Sequence, residues 1–277
     1  MSTSDNSILL IGESDVGKTH YGAQLLKRLM KRDGQLRMNG AATNLEPFES
    51  AMSCLDEGMA GGHTAASSYV DSIWPITDAQ GRTAELIWPD YGGEQIKAIS
   101  DTRRIPKIWQ SRVISAPAWL FFIRLQKTRI NADIFSRPLH ELPVSSSENH
   151  DIQMSDQAKL IELLQILLYI RGTVSTKPLA TPRLCVLLSC WDELGVEEAP
   201  LELLKSRLPM LSSFIHNTWA KPGVMGLSAL GQALSPTAPN EEYSNLGPEQ
   251  FGYVVLPDGL HSPDLTLPIQ YLLNDNL

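Results

Sequence analysis

The sequence predicts an α/β fold with a mostly parallel sheet, one antiparallel hairpin strand and helices on both faces. Three observations carry this. Near-continuous apolar runs recur at "ILLI", "AWLFFIRL", "RLCVLLSCW" and "VMGLSAL", and such runs suit strands covered on both faces. Stretches with helical spacing lie between them, and strands alternating with helices indicate parallel pairing. Two further apolar stretches, "YVDSIWPI" and "TAELIWP", flank only the turn-forming "TDAQG", which reads as an antiparallel hairpin.

The elements follow in order. Residues 8–11 read as a short buried strand. Over 21–32, Leu25/Leu29 and Leu26/Met30 recur at helical spacing, and Asp33-Gly34 ends that helix. Residues 35–68 are small and polar, with one short helix expected near 46–55. The hairpin and the strand at 118–125 come next. A polar loop over 126–155 precedes an apolar helix over 156–170. The strand at 183–191, a helix over 201–219 and the strand at 224–230 complete the regular part. The tail, 233–277, is rich in Pro and Gly, with "GYVVL" as a short strand and "PIQYLL" as an apolar end. One domain over 1–277 is expected, its core about 7–232, with 126–155 as an insertion and the tail as an extension.

Composition narrows the function. Of 277 residues, 43% are hydrophobic and 19% charged, as in ordinary globular chains. The net charge of −8 disfavours a general nucleic-acid surface. No apolar run reaches membrane-spanning length, and the polar start "MSTSDNS" lacks a signal pattern. A cytoplasmic location is the expectation. Three cysteines without CxxC spacing argue against a disulfide framework or structural zinc, and the six histidines form no HExxH-like pair.

The chemistry concentrates at "GESDVGKT", which fits GxxxxGK[ST] through Gly12, Gly17, Lys18 and Thr19. Glycines let the backbone wrap a phosphate so that N–H groups from Glu13, Ser14, Asp15, Val16 and His20 around the turn point inward, and the helix N-terminus adds its positive dipole end. Lys18 would neutralise β- and γ-phosphates and the Thr19 hydroxyl would ligate Mg²⁺. The bland alternative is a Gly-rich turn between strand and helix; placement after a buried strand favours a phosphate-binding P-loop. Asp90 then ends an apolar run, with Gly93 three residues on. Asp90 would hold Mg²⁺, and the Gly93 N–H would reach a γ-phosphate.

The order of these motifs resembles a P-loop small GTPase of the translation-factor-related, Ras-like class. That resemblance implies that Asp192 in "LLSCWDEL" reads guanine, and that Ser228, Ala229 and Leu230 in "GLSAL" form the loop beside the base. A carboxylate at Asp192 accepts from both the ring N–H and the exocyclic amine of guanine, a donor pair that adenine lacks. The sequence departs from the family in two places. Ser189 and Cys190 replace the usual Asn/Thr and Lys, and the missing lysine would pack its stem along base and ribose. Glu94, followed by Gln95, stands where a water-orienting Gln is usual. Thr64 in "GGHTAASS" matches the threonine that closes over Mg²⁺, with Thr43 as runner-up.

Within the class, the long Gly/Ala-rich first switch, "WPDYGGE" and "GYVVLPDG" look like the bacterial double-GTPase families of multi-gene conflict systems. This implies binding of GTP/GDP with Mg²⁺, slow hydrolysis, and a cytoplasmic molecular switch working with companion proteins, anti-phage defence included. Glu94 or Gln95 would place the water, and Lys18 would hold charge in the transition state. Two other readings stay open: a GTP-locked scaffold that recruits a partner without turnover, and a P-loop ATPase. The helix over 156–170 reads as core, with a partner groove as the alternative. Arg103 and Arg104 read as solvated surface, with an arginine finger in cis as the alternative.

Overall fold

The computed structural model describes residues 7–31, 34–62, 70–90, 93–129, 154–173 and 175–273. Among the described residues its main sheet has six strands, four from the body of the chain followed at one edge by two from the tail. Four of them run parallel: β1 (Ile8–Ile11), β5 (Ala118–Ile123), β6 (Arg183–Ser189) and β7 (Gly223–Ser228). Three lie within the expected apolar runs and β7 begins one residue before its run, and nearly every residue is buried because both faces are covered.

Alternation along the strands divides the core in two. Leu9, Ile11, Trp119, Phe121, Val186 and Leu188 face one side. There they pack against α3 (Gly93–Thr102), α4 (Lys107–Ser115), α5 (Asp156–Ile170), α6 (Pro200–Arg207) and α7 (Pro209–Thr218). Ile8, Leu10, Leu120, Phe122 and Leu187 face the other, against α1 (Lys18–Lys31), α2 (Glu46–Asp56) and α9 (Leu267–Leu273).

The hairpin forms as expected, β3 (Val70–Asp78) against β4 (Thr83–Asp90), with Ile73 opposite Ile87. It does not join the main sheet. A three-residue strand, β2 (Leu36–Met38), pairs with β3, and the three make a separate antiparallel sheet. This strand sits inside the stretch read as polar with a single helix; Leu36 and Met38 are buried while Arg37 between them is exposed. Trp74 and Trp88 stack 5.2 Å apart and 15° from parallel, and Phe48 of α2 meets both edge-on.

Two helix boundaries differ from the sequence expectation. The helix expected over 201–219 is divided at Leu208, because Pro209 cannot donate within a helix and its ring excludes helical geometry before it. Helix α1 begins at Lys18, three residues before its apolar repeat, since its first turn serves the preceding loop. The apolar helix α5 does pack as core, with Ser155 as its N-cap accepting from Ala158 N at 3.3 Å.

The tail adds α8 (Glu241–Leu246), β8 (Tyr253–Val255) and β9 (His261–Ser262), the two strands running antiparallel at the sheet edge. It lies against α1. Tyr21 Oη donates to Leu265 O at 2.8 Å, Gln24 Nε2 to Tyr243 Oη and Pro248 O at 2.9 Å each, and Arg28 Nη1 to Glu249 O at 3.0 Å. No helix among the described residues is long and apolar enough to cross a membrane.

Candidate nucleotide site

Parallel strands bring their carboxyl ends to one edge, and the loops that follow them meet there. The loop after β1 contributes Ser14 to Gly17, that after β5 Arg124 and Lys127, that after β6 Cys190, Asp192 and Glu193, and that after β7 Ala229 and Leu230. Together with Gly93 and Glu94 they surround a cavity of about 390 Å³.

The first loop is built as its glycines predict. Gly17 takes φ 79° and Asp15 φ 61°, the left-handed backbone that turns the chain back on itself. Gly12 is needed for space: a β-carbon there would lie 2.9 Å from Val16 Cγ2 and 3.0 Å from Phe122 Cβ. Tyr21 N donates to Gly17 O at 3.0 Å, so α1 starts directly off the loop. Lys18 Nζ folds over it, donating to Gly12 O at 2.8 Å and Glu13 O at 2.6 Å. The ammonium is thus held against the loop's own carbonyl oxygens, on the wall of the cavity.

The cavity wall also carries a carboxylate, Asp192. Cys190 turns the chain with φ 53°, Trp191 is buried against Gly226, and Asp192 follows in a short 3₁₀ turn. Ser228 Oγ donates to Asp192 Oδ1 at 2.5 Å and accepts from Gly231 N at 2.9 Å. Ser189, also on the cavity wall, is buried, and its hydroxyl has no hydrogen-bond partner among the described residues. A buried hydroxyl without a partner costs free energy that a polar ligand in this cavity would recover.

A family model described as Double-GTPase 1 matches residues 9–272. The chain belongs to the Double-GTPase 1 family. Membership makes it a GTP-binding, GTPase-like protein. No curated protein matches it. Among solved structures it is similar to the signal recognition particle receptor SRb-GTP/SRX complex from Chaetomium thermophilum. That match has 16% identity and a TM-score of 0.43, over 88% of this chain and 98% of the other. At that level the likeness is one of outline and carries no functional weight.

In this Double-GTPase 1 chain most of the expected site residues reach the cavity: Ser14 through His20, Gly93, Glu94, Asp192, Ala229 and Leu230. Gly12, Glu13 and Ser228 stand one layer back, the first two holding Lys18 and the third holding Asp192. Glu94 and Gln95 part company. Glu94 lines the cavity, and hydrogen bonds from its own backbone and from the Ser14 hydroxyl, with Lys18 nearby, hold its carboxyl below the usual glutamate range. Gln95 instead accepts from Trp109 Nε1 at 2.9 Å, on the α4 side.

Thr43 is engaged elsewhere: its Oγ1 accepts from Ile73 N at 3.2 Å and its carbonyl from Ser72 Oγ at 2.8 Å, both in β3. Thr64 lies outside the described residues. The backbone of Asp90 ends β4 opposite Val70. Arg103 pairs with Glu162 of α5, away from the cavity.

Sequence reading missed Arg124, Lys127 and Glu193, which also line the cavity. The available signal was position: "RLQK" follows directly on a buried parallel strand, where the carboxyl edge must lie. It also missed the His20 contact. His20 Nε2 accepts from Gly61 N at 3.0 Å and so ties the chain after α2 to the start of α1.

Proposed function

We propose that this chain is a GTP-binding molecular switch that hydrolyses GTP slowly with Mg²⁺. The observation that supports it is a cavity lined both by Lys18 with its loop and by Asp192, whose carboxylate Ser228 holds from behind. The loop and Lys18 suit polyphosphate. The Asp192 carboxylate, oriented by Ser228, suits a base offering two adjacent donors, which favours guanine over the adenine of the ATPase reading.

Thr19 and Asp90, with Thr64 completing the set, would hold Mg²⁺. When bound, the ion would neutralise phosphate charge. Lys18 stabilises charge that grows on the γ-phosphate, and the Gly93 N–H binds a γ-oxygen. Glu94 orients the attacking water by accepting a hydrogen bond from it; of the two water-positioning candidates, it alone lines the cavity.

A second reading, a scaffold that binds GTP without turnover, draws on the Trp109 bond that holds Gln95 away. Companion proteins would meet the chain at Gly93–Thr102 and around 61–69, in a cytoplasmic multi-gene conflict system such as anti-phage defence. Calorimetric titration with GTP and ATP, followed by phosphate release in single turnover, tests the proposal. GTP is expected to bind at least about tenfold more tightly than ATP, with measurable release. Equal binding sinks the guanine assignment, and tight binding with no release leaves the scaffold.

A further inference from the structure

Arg124 leaves the carboxyl end of β5 with its side chain half-buried. Its Nη1 donates to Asp15 O, in the phosphate loop, at 2.8 Å. Its Nε donates to Glu193 Oε2 at 2.9 Å, and its Nη2 to Glu193 Oε1, a two-point contact with the turn that carries Asp192. Lys127 Nζ adds a bond to Asp15 Oδ2 at 2.8 Å. One cation therefore ties together the loops that follow β1, β5 and β6. A planar guanidinium can do this because its donors diverge at fixed angles; an ammonium cannot make the same fork.

On the adjoining wall stands Cys190, where the family pattern has lysine. It offers neither a long stem nor a charge: burial pushes its thiol up to about 11, so it stays protonated at neutral pH. Arg124 lies on the same cavity, and its guanidinium charge is already balanced by Glu193.

We propose that Arg124 is a positioning residue for base recognition. It holds the Asp192 turn at a fixed distance from the phosphate loop, and its stem covers the nucleoside where Cys190 falls short. A ligand read at both ends gains from a rigid spacing, because no binding free energy is then spent on setting it. The inference rests on the guanine-nucleotide reading above.

Removing Arg124 alone would leave the Glu193 charge bare beside an anion site, so the test variant is the charge-neutral pair Arg124→Ala with Glu193→Ala. Affinity and dissociation rate for GDP, and affinity for inorganic tripolyphosphate, are compared with wild type. The double variant is expected to bind GDP at least about tenfold more weakly, through faster dissociation, while tripolyphosphate binding stays within about twofold. Arg124→Lys, which keeps the charge but loses the fork, should fall between and discriminate GTP from ATP less well; it carries the test if the double variant does not fold. Unchanged GDP affinity overturns the proposal. So does equal loss of GDP and tripolyphosphate, which would make Arg124 a support of the phosphate loop alone. If wild type binds tripolyphosphate but no nucleotide, the guanine-nucleotide reading itself fails, and with it this inference.

Discussion

Gly93 lies against Ser14 so closely that a β-carbon on it would stand 1.9 Å from the Ser14 amide nitrogen and 2.2 Å from the Glu13 carbonyl carbon. These are backbone atoms and cannot swing aside. The start of α3 is thus seated on the phosphate loop, and only glycine permits it. Ile96 and Ile99 hold the rest of the helix in the core.

Gly93→Ala is therefore expected to lift the first turn of α3 from the loop without unfolding the helix, at a cost of about 1–3 kcal/mol. Hydrogen exchange should quicken over 93–102, and turnover should fall with it. Exchange rates identical to wild type would show that the seat is not occupied in solution.

Lys18→Ala should abolish measurable triphosphate binding. Its ammonium lies on the loop itself, at the Gly12 and Glu13 carbonyls, while Arg124 and Lys127 are committed to Glu193 and Asp15, so without it the γ-phosphate charge would be left undercompensated. Calorimetry giving unchanged affinity would remove phosphate holding from this loop.

Asp192→Asn should weaken GTP binding by roughly 2–3 kcal/mol and relatively favour xanthosine triphosphate, whose extra carbonyl can accept from the new amide. Ser228→Ala, which frees the carboxylate that Ser228 orients, should cost a smaller amount, about 1 kcal/mol. Competition titrations with GTP, ATP and xanthosine triphosphate decide it. Wild-type-like selectivity in the Asp192→Asn protein would leave this residue as a turn former only.

Glu94 carries a charge prediction and a rate prediction. Its folded-state carboxyl is held below the unfolded value, so the stability it contributes is present above that unfolded value and is lost as pH falls through the lowered one. A carboxyl titration by NMR should show this in the nucleotide-free protein and an upward shift once GTP places like charge beside it. Single-turnover hydrolysis should be about 10⁻² s⁻¹ or slower. Glu94→Gln should keep or raise that rate, Glu94→Ala should lower it, and Gln95→Ala should leave it nearly unchanged. Equal rates for Glu94→Ala and wild type would transfer the role to Gln95 or to a partner's residue.

Asp78 closes the hairpin turn. It accepts from Gln80 N at 3.0 Å and from Arg82 N and Nε at 2.9 and 2.6 Å. Burial pushes its carboxyl up, but the Arg82 and Gln80 bonds outweigh this and hold it below the usual aspartate range. Its contribution therefore persists at neutral pH and disappears on acidification through that lowered value. Asp78→Ala should destabilise the chain by about 1–3 kcal/mol at neutral pH and by less in acid, as denaturant melts at the two pH values would show.

Contiguous signals in the sequence determined the phosphate loop, the buried strands and the hairpin. Gly12, Gly17, Lys18 and Thr19 work through adjacent backbone, and Leu120 or Val186 announces a covered strand by the run it sits in, because both depend on neighbours along the chain. Side-chain direction and the meeting of distant loops belong to the tertiary structure. Glu94 and Gln95 are adjacent in sequence, yet one faces the cavity and the other Trp109, since the helical turn between them points them apart. Ser228 sits behind Asp192 rather than in the cavity because β7 runs beside β6. Arg124 reaches Asp15 and Glu193 across 109 and 69 residues of chain. Only the parallel order β1-β5-β6, which sets three carboxyl ends side by side, brings them within the reach of one guanidinium.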